Sequence, residues 1–129
     1  MLVDAPCTAT GTIRRHPDIA WLKEASDIEH LHELQSRLLQ RAAALLKPKG
    51  TLIYCTCSLE PEEGELAVQR FLESESGLQR APIDSSEVAG HAEWLTPSGD
   101  LRTLPCHLRH DDPRMAGLDG FFAARLVKG

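Results

Sequence analysis

Apolar residues recur at three- and four-residue steps between about residue 26 and residue 46, which is the pattern of an amphipathic helix. The apolar positions are Ile28, Leu31, Leu34, Leu38, Leu39, Ala42, Leu45 and Leu46. Ser26 or Asp27 is the expected N-cap, because both side chains can accept a hydrogen bond from the first turn. Lys47-Pro48-Lys49-Gly50 supplies the cation, proline and glycine that are typical of a helix end. The pattern therefore predicts one long helix.

Two short apolar runs flank this helix and are typical of buried strands. Residues 1–3 lead directly into Asp4-Ala5-Pro6-Cys7, and Thr51–Thr56 is rich in strand formers and bounded by turn signals. A second helix is predicted to begin near Pro61. Its inward face is expected to hold Leu66, Ala67, Phe71 and Leu72. Its first turn and solvated face are expected to hold Glu60, Glu62, Glu63 and Glu65. Strand, helix, strand, helix predicts an α/β fold with parallel strands and right-handed crossovers.

The remaining segments are less regular. Residues 4–25 contain two prolines and a glycine without a sustained period, which predicts an ordered loop with one short helix. A small hairpin is predicted over residues 94–104, turning at Pro97-Ser98-Gly99-Asp100. Residues 107–117 are polar and predict a surface loop. Residues 120–127 predict a last strand within the sheet.

The composition is that of an ordinary globular protein, with 42% apolar and 26% charged residues in a 129-residue chain that fits one domain or part of one. No stretch approaches the roughly 18–20 apolar residues of a membrane span, and no signal-peptide pattern opens the chain. A cytoplasmic location away from membranes is therefore expected. The net charge of −5 disfavours independent nucleic-acid binding. Two local basic groups run against that balance, namely Arg14, Arg15 and His16, and Arg102, His107, Arg109, His110 and Arg114.

The four cysteines are Cys7, Cys55, Cys57 and Cys106. A Cys-x-Cys pair with two distant cysteines is a weak zinc pattern, so free thiols and no metal site are predicted. Cys55 is expected in the core, and Cys106 in a loop or at a strand end. Cys7 and Cys57 each follow a predicted strand. Because ligands bind open α/β sheets at the carboxyl ends of the strands, these two thiols are expected to face one crevice.

Two thiols in one crevice suit chemistry on a double bond of a pyrimidine ring. One sulfur can attack the ring, while a second group helps to release the product. The Asp4 carboxyl group can hydrogen-bond an exocyclic amine or protonate a ring nitrogen. Local chemistry does not decide which of the two thiols attacks.

Several separated motifs, in this order along the chain, resemble the RsmB/Sun (Fmu) family of S-adenosylmethionine-dependent RNA cytosine-5 methyltransferases. They are Asp4-Ala5-Pro6-Cys7, Gly11-Thr12-Ile13-Arg14-Arg15-His16-Pro17-Asp18, Leu46-Lys47-Pro48-Lys49-Gly50, Tyr54-Cys55-Thr56-Cys57-Ser58-Leu59, Pro61-Glu62-Glu63, Leu101-Arg102-Thr103-Leu104-Pro105 and Asp119-Gly120-Phe121-Phe122-Ala123. The resemblance covers nearly the whole chain.

The resemblance implies the C-terminal part of a Rossmann-like class I methyltransferase sheet, closed by an antiparallel strand or hairpin. It implies S-adenosylmethionine as methyl donor and small-subunit ribosomal RNA as substrate. Cys57 would attack carbon 6 of cytosine, and Cys7 would assist loss of the carbon 5 proton or release of the enzyme. Asp4 would contact the cytosine edge, and Asp4 and Pro6 would border the cofactor. The residues implied to approach RNA are Arg14, Arg15 and His16.

The family's glycine-rich cofactor loop, its ribose-binding acid and the next cofactor strand all precede the Asp-Ala-Pro-Cys motif, and none occurs in residues 1–129. We therefore expect residues 1–129 to be the C-terminal part of one methyltransferase domain, truncated upstream of that motif, lacking most of the cofactor site and inactive alone. An unfinished sheet edge would leave room for self-association. The alternatives are a non-catalytic RNA-binding or assembly module descended from such an enzyme, another α/β transferase with structural cysteines, and a small zinc or redox protein.

Overall fold

The computed structural model describes residues 1–74 and 77–129. The strands are β1 Leu2–Asp4, β2 Thr51–Thr56, β3 Leu78–Arg80, β4 Leu101–Thr103 and β5 Phe121–Lys128. The helices are α1 Ile19–Leu22, α2 Ala25–Leu45 and α3 Glu65–Ser74. Short 3-10 turns lie at Thr10–Thr12, Pro61–Glu63, Ser85–Val88 and Ala92–Trp94. The α/β class predicted from the sequence is confirmed.

One mixed sheet contains all five strands, in the order β1-β2-β5-β3, with β4 also paired to β5. β1 runs parallel to β2, which is the predicted crossover pair, and Asp4 lies opposite Cys55. β2 runs antiparallel to β5 over its whole length. β3 and β4 both pair antiparallel with β5. The predicted closing strand is therefore confirmed, and it lies inside the sheet between β2 and the two short strands.

Four chain segments meet at one edge of the sheet. β1 and β2 both end there, because they are parallel and in register. The antiparallel β5 begins at the same edge, where Phe122 lies opposite Thr56. β4 ends there too, with Thr103 opposite Phe121. The loops after β1, β2 and β4 therefore converge with the segment before β5. The self-association predicted from an unfinished sheet edge stays a prediction.

Helix α2 begins at a capping box that sequence reasoning placed two to three residues late. Glu24 is the N-cap, and its side chain accepts from the backbone N–H of Asp27. In return the Asp27 carboxylate accepts from the Glu24 N–H at 2.9 Å. The predicted cap at Ser26 or Asp27 is wrong, because Glu24 is extended and those two residues already lie in the first turn.

The far end of α2 is closed by a cation from a distant strand. Lys128 donates from Nζ to the carbonyl oxygens of Ala43 and Leu46, at 2.8 and 3.0 Å. The turn after the helix places Lys49, and not Gly50, at positive φ (60°). Gly50 is required for space instead, since a Cβ there would lie 2.7 Å from the Lys47 carbonyl oxygen.

The core lies between the two long helices and one face of the sheet. Its largest group of apolar residues is Leu39, Ala42, Ala43, Leu46, Leu52, Tyr54, Ala67, Val68, Phe71, Leu78, Phe122, Ala124 and Leu126. Val68 was not predicted to be inward, and Leu45, which was, is 74% exposed. Helix α2 also buries the polar side chain of Gln35 completely, because that side chain forms hydrogen bonds within the candidate active site.

The region after α3 differs from the predicted hairpin. Leu95 and Leu101 form only an isolated bridge. Residues 101–103 pair with β5 instead, because its outer edge offers a row of backbone partners that the neighbouring turn does not. β3 lies in a segment that carried no strand pattern. Residues 107–117 are mostly exposed, as predicted, and no helix in the described part of the chain is long and apolar enough to cross a bilayer.

Candidate active site

The thiols of Cys7 and Cys57 lie in contact, with their sulfur atoms 3.5 Å apart. Cys7 belongs to the loop after β1, and Cys57 directly follows β2. Both are free and half-buried. The structure thus brings together two residues that are fifty positions apart in sequence, at the edge where the sequence predicted one crevice.

Burial raises the pKa of the Cys7 thiol to about 12; the hydrogen bond with the Ala9 backbone opposes this rise, and the neighbouring Cys57 adds to it. At neutral pH Cys7 therefore keeps its proton. A protonated thiol is a weak nucleophile but can donate a hydrogen bond to a neighbouring sulfur.

A close crossing of three backbone segments fixes the Cys57 turn. The Gly11 N–H donates to the Cys57 carbonyl oxygen at 2.9 Å, and the Gly120 N–H donates to the Gly11 carbonyl oxygen at 2.8 Å. A Cβ on Gly11 would lie 1.9 Å from the Gly120 oxygen and 2.7 Å from the Cys57 oxygen. Only glycine fits at this crossing.

Three hydroxyl groups join the loop after β1 to the loop after β2. The Ser58 hydroxyl lies 3.4 Å from the hydroxyl oxygens of both Thr8 and Thr10. Ser58 also accepts from the Glu60 N–H at 3.0 Å, and Thr10 accepts from the Leu59 N–H at 2.9 Å. Side chains next to each cysteine therefore hold the opposite loop.

Glu63 contradicts the expectation of a solvated acid, since it is completely buried. Its carboxylate accepts from the Thr8 N–H at 3.0 and 3.2 Å, from the Thr8 hydroxyl at 2.6 Å and from Gln35 Nε2 at 3.2 Å. These bonds offset the cost of burying the charge. Gly64 separates a 3-10 turn from α3 and so points Glu63 inward. A glycine near the start of the predicted helix was the sequence feature that could have indicated this interruption.

Asp4 and Pro6 are both exposed at the end of β1. Asp4 lies 3.7 Å from the Cys55 sulfur, and the Pro6 carbonyl accepts from Gln35 Nε2 at 2.8 Å. Cys55 is buried, as predicted, and burial together with the Asp4 charge raises its pKa to about 11. The Asp4 carboxylate is an exposed acceptor, which suits the amine or ammonium group of a ligand at this edge.

The two arginines predicted to approach RNA are paired with Asp119. Arg15 donates from Nε to Asp119 at 2.8 Å, and Arg14 reaches the same carboxylate at 3.5 Å and the Ala116 carbonyl oxygen at 3.1 Å. The Arg15 hydrogen bond holds the pKa of Asp119 below its usual range. The third predicted residue, His16, is exposed. The arginines therefore also join the Cys7 loop to the segment before β5.

Arg102 stabilises the loop after β2 and is not part of a surface basic group. It donates from Nη1 to the Ser58 carbonyl oxygen at 2.6 Å and pairs with both oxygens of Glu65 at 2.6 and 2.8 Å. Burial alone would raise the pKa of Glu65, but the bonds from Arg102 leave it lowered. The guanidinium also lies over the Phe122 ring, 5.0 Å from its centroid.

No group of three or more His, Cys, Asp or Glu side chains within residues 1–74 and 77–129 is placed to hold a metal ion. Cys106 is exposed and outside the core, in the loop after β4.

The chain as a whole is similar to a family of ribosomal RNA methyltransferases. The family profile described as 16S rRNA methyltransferase RsmB/F matches residues 1–127. The chain is 41% identical to the ribosomal RNA small subunit methyltransferase B of Pasteurella multocida and 42% identical to that of Cronobacter sakazakii, over 99% of its own length. It covers only 25% and 26% of those proteins. The chain thus spans about a quarter of the length of the curated relatives it matches.

Solved structures show the same fold. The crystal structure of PH0851 superposes with a TM-score of 0.80 and 35% identity, over 98% of this chain and 26% of that one. The structure of NSun6 from Pyrococcus horikoshii with SFG superposes with a TM-score of 0.70 and 25% identity, over 98% of this chain and 29% of that one. These neighbours confirm the Rossmann-like methyltransferase fold.

Proposed function

Because the chain belongs to the 16S rRNA methyltransferase RsmB/F family, we propose that it contributes two thiols, Cys7 and Cys57, to a site that methylates carbon 5 of cytosine in small-subunit ribosomal RNA. The observation that carries the proposal is the contact between the Cys7 and Cys57 sulfurs at 3.5 Å. The relatives' names support the RNA substrate. The neighbour bound to SFG, an analogue of S-adenosylmethionine, supports the methyl donor. Ribosomal RNA as substrate implies a cytoplasmic reaction.

In the first step, Cys57 gives its proton to solvent and its sulfur bonds to carbon 6 of the cytosine, while the π pair of the bond between carbons 5 and 6 moves to carbon 5 and makes it nucleophilic. Cys57 is assigned this role from its place in the Thr-Cys motif, by resemblance to the family, and the contacting Cys7 thiol is assigned the assisting role. The exposed Asp4 carboxylate accepts a hydrogen bond from the exocyclic amine and so fixes the ring beside the sulfur.

In the second step, carbon 5 takes a methyl group. S-adenosylmethionine supplies that group in electrophilic form when bound, and Asp4 and Pro6 are the residues of this chain that would border it. The carbon 5 proton then passes to solvent, the double bond reforms and the Cys57 sulfur leaves carbon 6. Cys7, 3.5 Å away, donates its S–H hydrogen bond to the departing sulfur and stabilises its charge.

The test of this proposal is the identity of the product. An enzyme that carries residues 1–129 together with a complete cofactor site should convert small-subunit ribosomal RNA to a product that contains 5-methylcytidine, measured by nucleoside mass spectrometry. Residues 1–129 alone should yield none and bind the cofactor weakly, because they lack the glycine-rich loop. Cofactor and RNA binding without any 5-methylcytidine would contradict the proposal and favour a non-catalytic RNA-binding module.

We propose in addition that Arg14, Arg15 and His16 contact RNA phosphates, since the two arginine side chains stay 37% and 55% exposed beside Asp119. Removing both arginines in such a complete enzyme should lower the slope of log affinity against log salt by about 1.4, because each phosphate contact on a single strand contributes about 0.7. The measurement is a salt titration of RNA binding.

The control for this prediction is Asp119→Asn, which frees both guanidinium groups without removing their charge. It should leave the salt slope unchanged and hold or raise RNA affinity. If the arginines only brace the loop, Asp119→Asn and the double alanine variant should weaken binding equally, with no change of slope.

A further inference from the structure

Glu63 is a fully buried carboxylate that the reaction outlined above does not use. We propose that it is the positioning residue that sets the separation of the Cys7 and Cys57 sulfurs. Its catalytic consequence rests on the proposed function, whereas its geometric consequence can be measured without any turnover.

The Glu63 side chain holds both residues that flank Cys7. Thr8 donates its backbone N–H and its hydroxyl to the carboxylate. On the other side, Gln35 donates from Nε2 both to Glu63 at 3.2 Å and to the Pro6 carbonyl oxygen at 2.8 Å. The polar Gln35 in the apolar face of α2 is thereby explained, because it links the carboxylate to the chain before Cys7.

The Glu63 main chain holds the segment that leads to Cys57. Its carbonyl oxygen accepts from the Tyr54 hydroxyl at 2.9 Å and from the Thr56 hydroxyl at 3.3 Å. Thr56 is the last residue of β2 and directly precedes Cys57. A single residue thus bonds to the neighbours of both thiols, through its side chain in one case and its backbone in the other.

The chemistry of these contacts makes the carboxylate hard to replace. Both of its oxygens accept, one from the Thr8 N–H and Gln35, and the other from the Thr8 N–H and hydroxyl. The side-chain donors are a neutral hydroxyl and a neutral amide. A glutamine at 63 would place an NH₂ group where one of these oxygens stands, so either the Gln35 amide or the Thr8 hydroxyl would lose the hydrogen bond that it donates to the carboxylate.

The experiment measures how readily a bifunctional thiol reagent bridges the two sulfurs in the 129-residue protein. Dibromobimane, which fluoresces when it bridges two neighbouring thiols, is applied in a Cys106→Ser background, and mass spectrometry identifies the bridged peptides. Glu63→Gln should reduce Cys7–Cys57 bridging at least about fivefold while circular dichroism stays native. Glu62→Gln, in the same turn, should bridge like the parent protein.

A second pair of variants keeps the test decisive if Glu63→Gln does not fold. Thr8→Val removes the hydroxyl that bonds Glu63 and should reduce bridging, whereas Thr8→Ser keeps that hydroxyl and should not. Undiminished bridging in folded Glu63→Gln, or in Thr8→Val, overturns the inference. Reduced bridging in a protein whose complete form makes no 5-methylcytidine would leave the positioning role intact while the proposed function fails.

In a complete enzyme, a positioning role also predicts which step of the reaction becomes slower. Glu63→Gln should slow release from methylated RNA and accumulate the covalent enzyme–RNA adduct, with an unchanged KM for RNA. A purely structural role would instead reduce the amount of folded enzyme and affect every step alike, and equal loss of adduct formation and release would contradict positioning.

Discussion

Replacing Cys57 with Ala should abolish methyl transfer in an enzyme that carries this segment with a complete cofactor site, by at least about three orders of magnitude. The variant lacks the sulfur that bonds to carbon 6, so carbon 5 stays too weak a nucleophile. The rate of methyl incorporation into RNA measures the loss. RNA affinity should change little, because the half-buried Cys57 thiol carries no positive charge that could contact a phosphate.

Cys7→Ala should behave differently from Cys57→Ala, although the two sulfurs touch. Without the Cys7 S–H, the Cys57 sulfur leaves carbon 6 slowly, so a covalent enzyme–RNA adduct should accumulate and remain visible on a denaturing gel. Cys106→Ser is the matched control, because it removes an exposed thiol and leaves the Cys7 and Cys57 sulfurs in contact. Full activity in both Cys57→Ala and Cys7→Ala would show that the cysteines are structural.

Gly11→Ala should be among the most destabilising single-methyl changes in the chain. The added methyl would meet the Gly120 and Cys57 carbonyl oxygens at 1.9 and 2.7 Å. Both are backbone atoms, so no side-chain rotation can relieve the clash, and the hydrogen bonds on both sides of Gly11 would be disrupted. We expect a loss of more than about 3 kcal/mol in the free energy of unfolding, measured by urea denaturation.

Gly90→Ala separates this steric effect from the general cost of replacing glycine. Gly90 has a φ of +84°, but a Cβ there would find no atom within 4 Å. The expected loss is about 1 kcal/mol, from backbone conformation alone. A Gly11→Ala variant no less stable than Gly90→Ala would mean that the crossing over Cys57 can open, and that the thiol turn is not fixed by it.

The secondary-structure elements predicted best from the sequence were those marked by a single clear apolar pattern. The bounds of β2 follow from a short apolar run between turn residues, and the observed strand is Thr51–Thr56. Helix α2 and the closing strand were likewise found from unbroken apolar patterns. The position of Cys7 and Cys57 at the same end of the sheet followed from topology, since neighbouring parallel strands have their carboxyl ends on the same side. The roles assigned to these residues stay proposals.

Two of the predictions that failed depended on partners distant in sequence. Glu63 has the composition of a solvated acid, and its burial depends on Thr8 and Gln35, which are supplied by other elements. β4 pairs with β5 because that strand offers a free edge, which no local pattern near residue 101 records. The Arg15 and Asp119 pair, which the sequence did not predict, likewise joins loops about a hundred residues apart, while the predicted contact of Arg15 with RNA stays a proposal. Local periodicity carries none of this information.

The attack of the Cys57 sulfur on carbon 6 is tested most directly with RNA in which the target cytosine is replaced by 5-fluorocytosine. Fluorine cannot leave carbon 5 as a proton does, so the covalent adduct should persist with both cysteines present. Peptide mapping of the trapped complex should find the RNA on Cys57. An adduct on Cys7, or no adduct despite RNA and cofactor binding, would contradict the account.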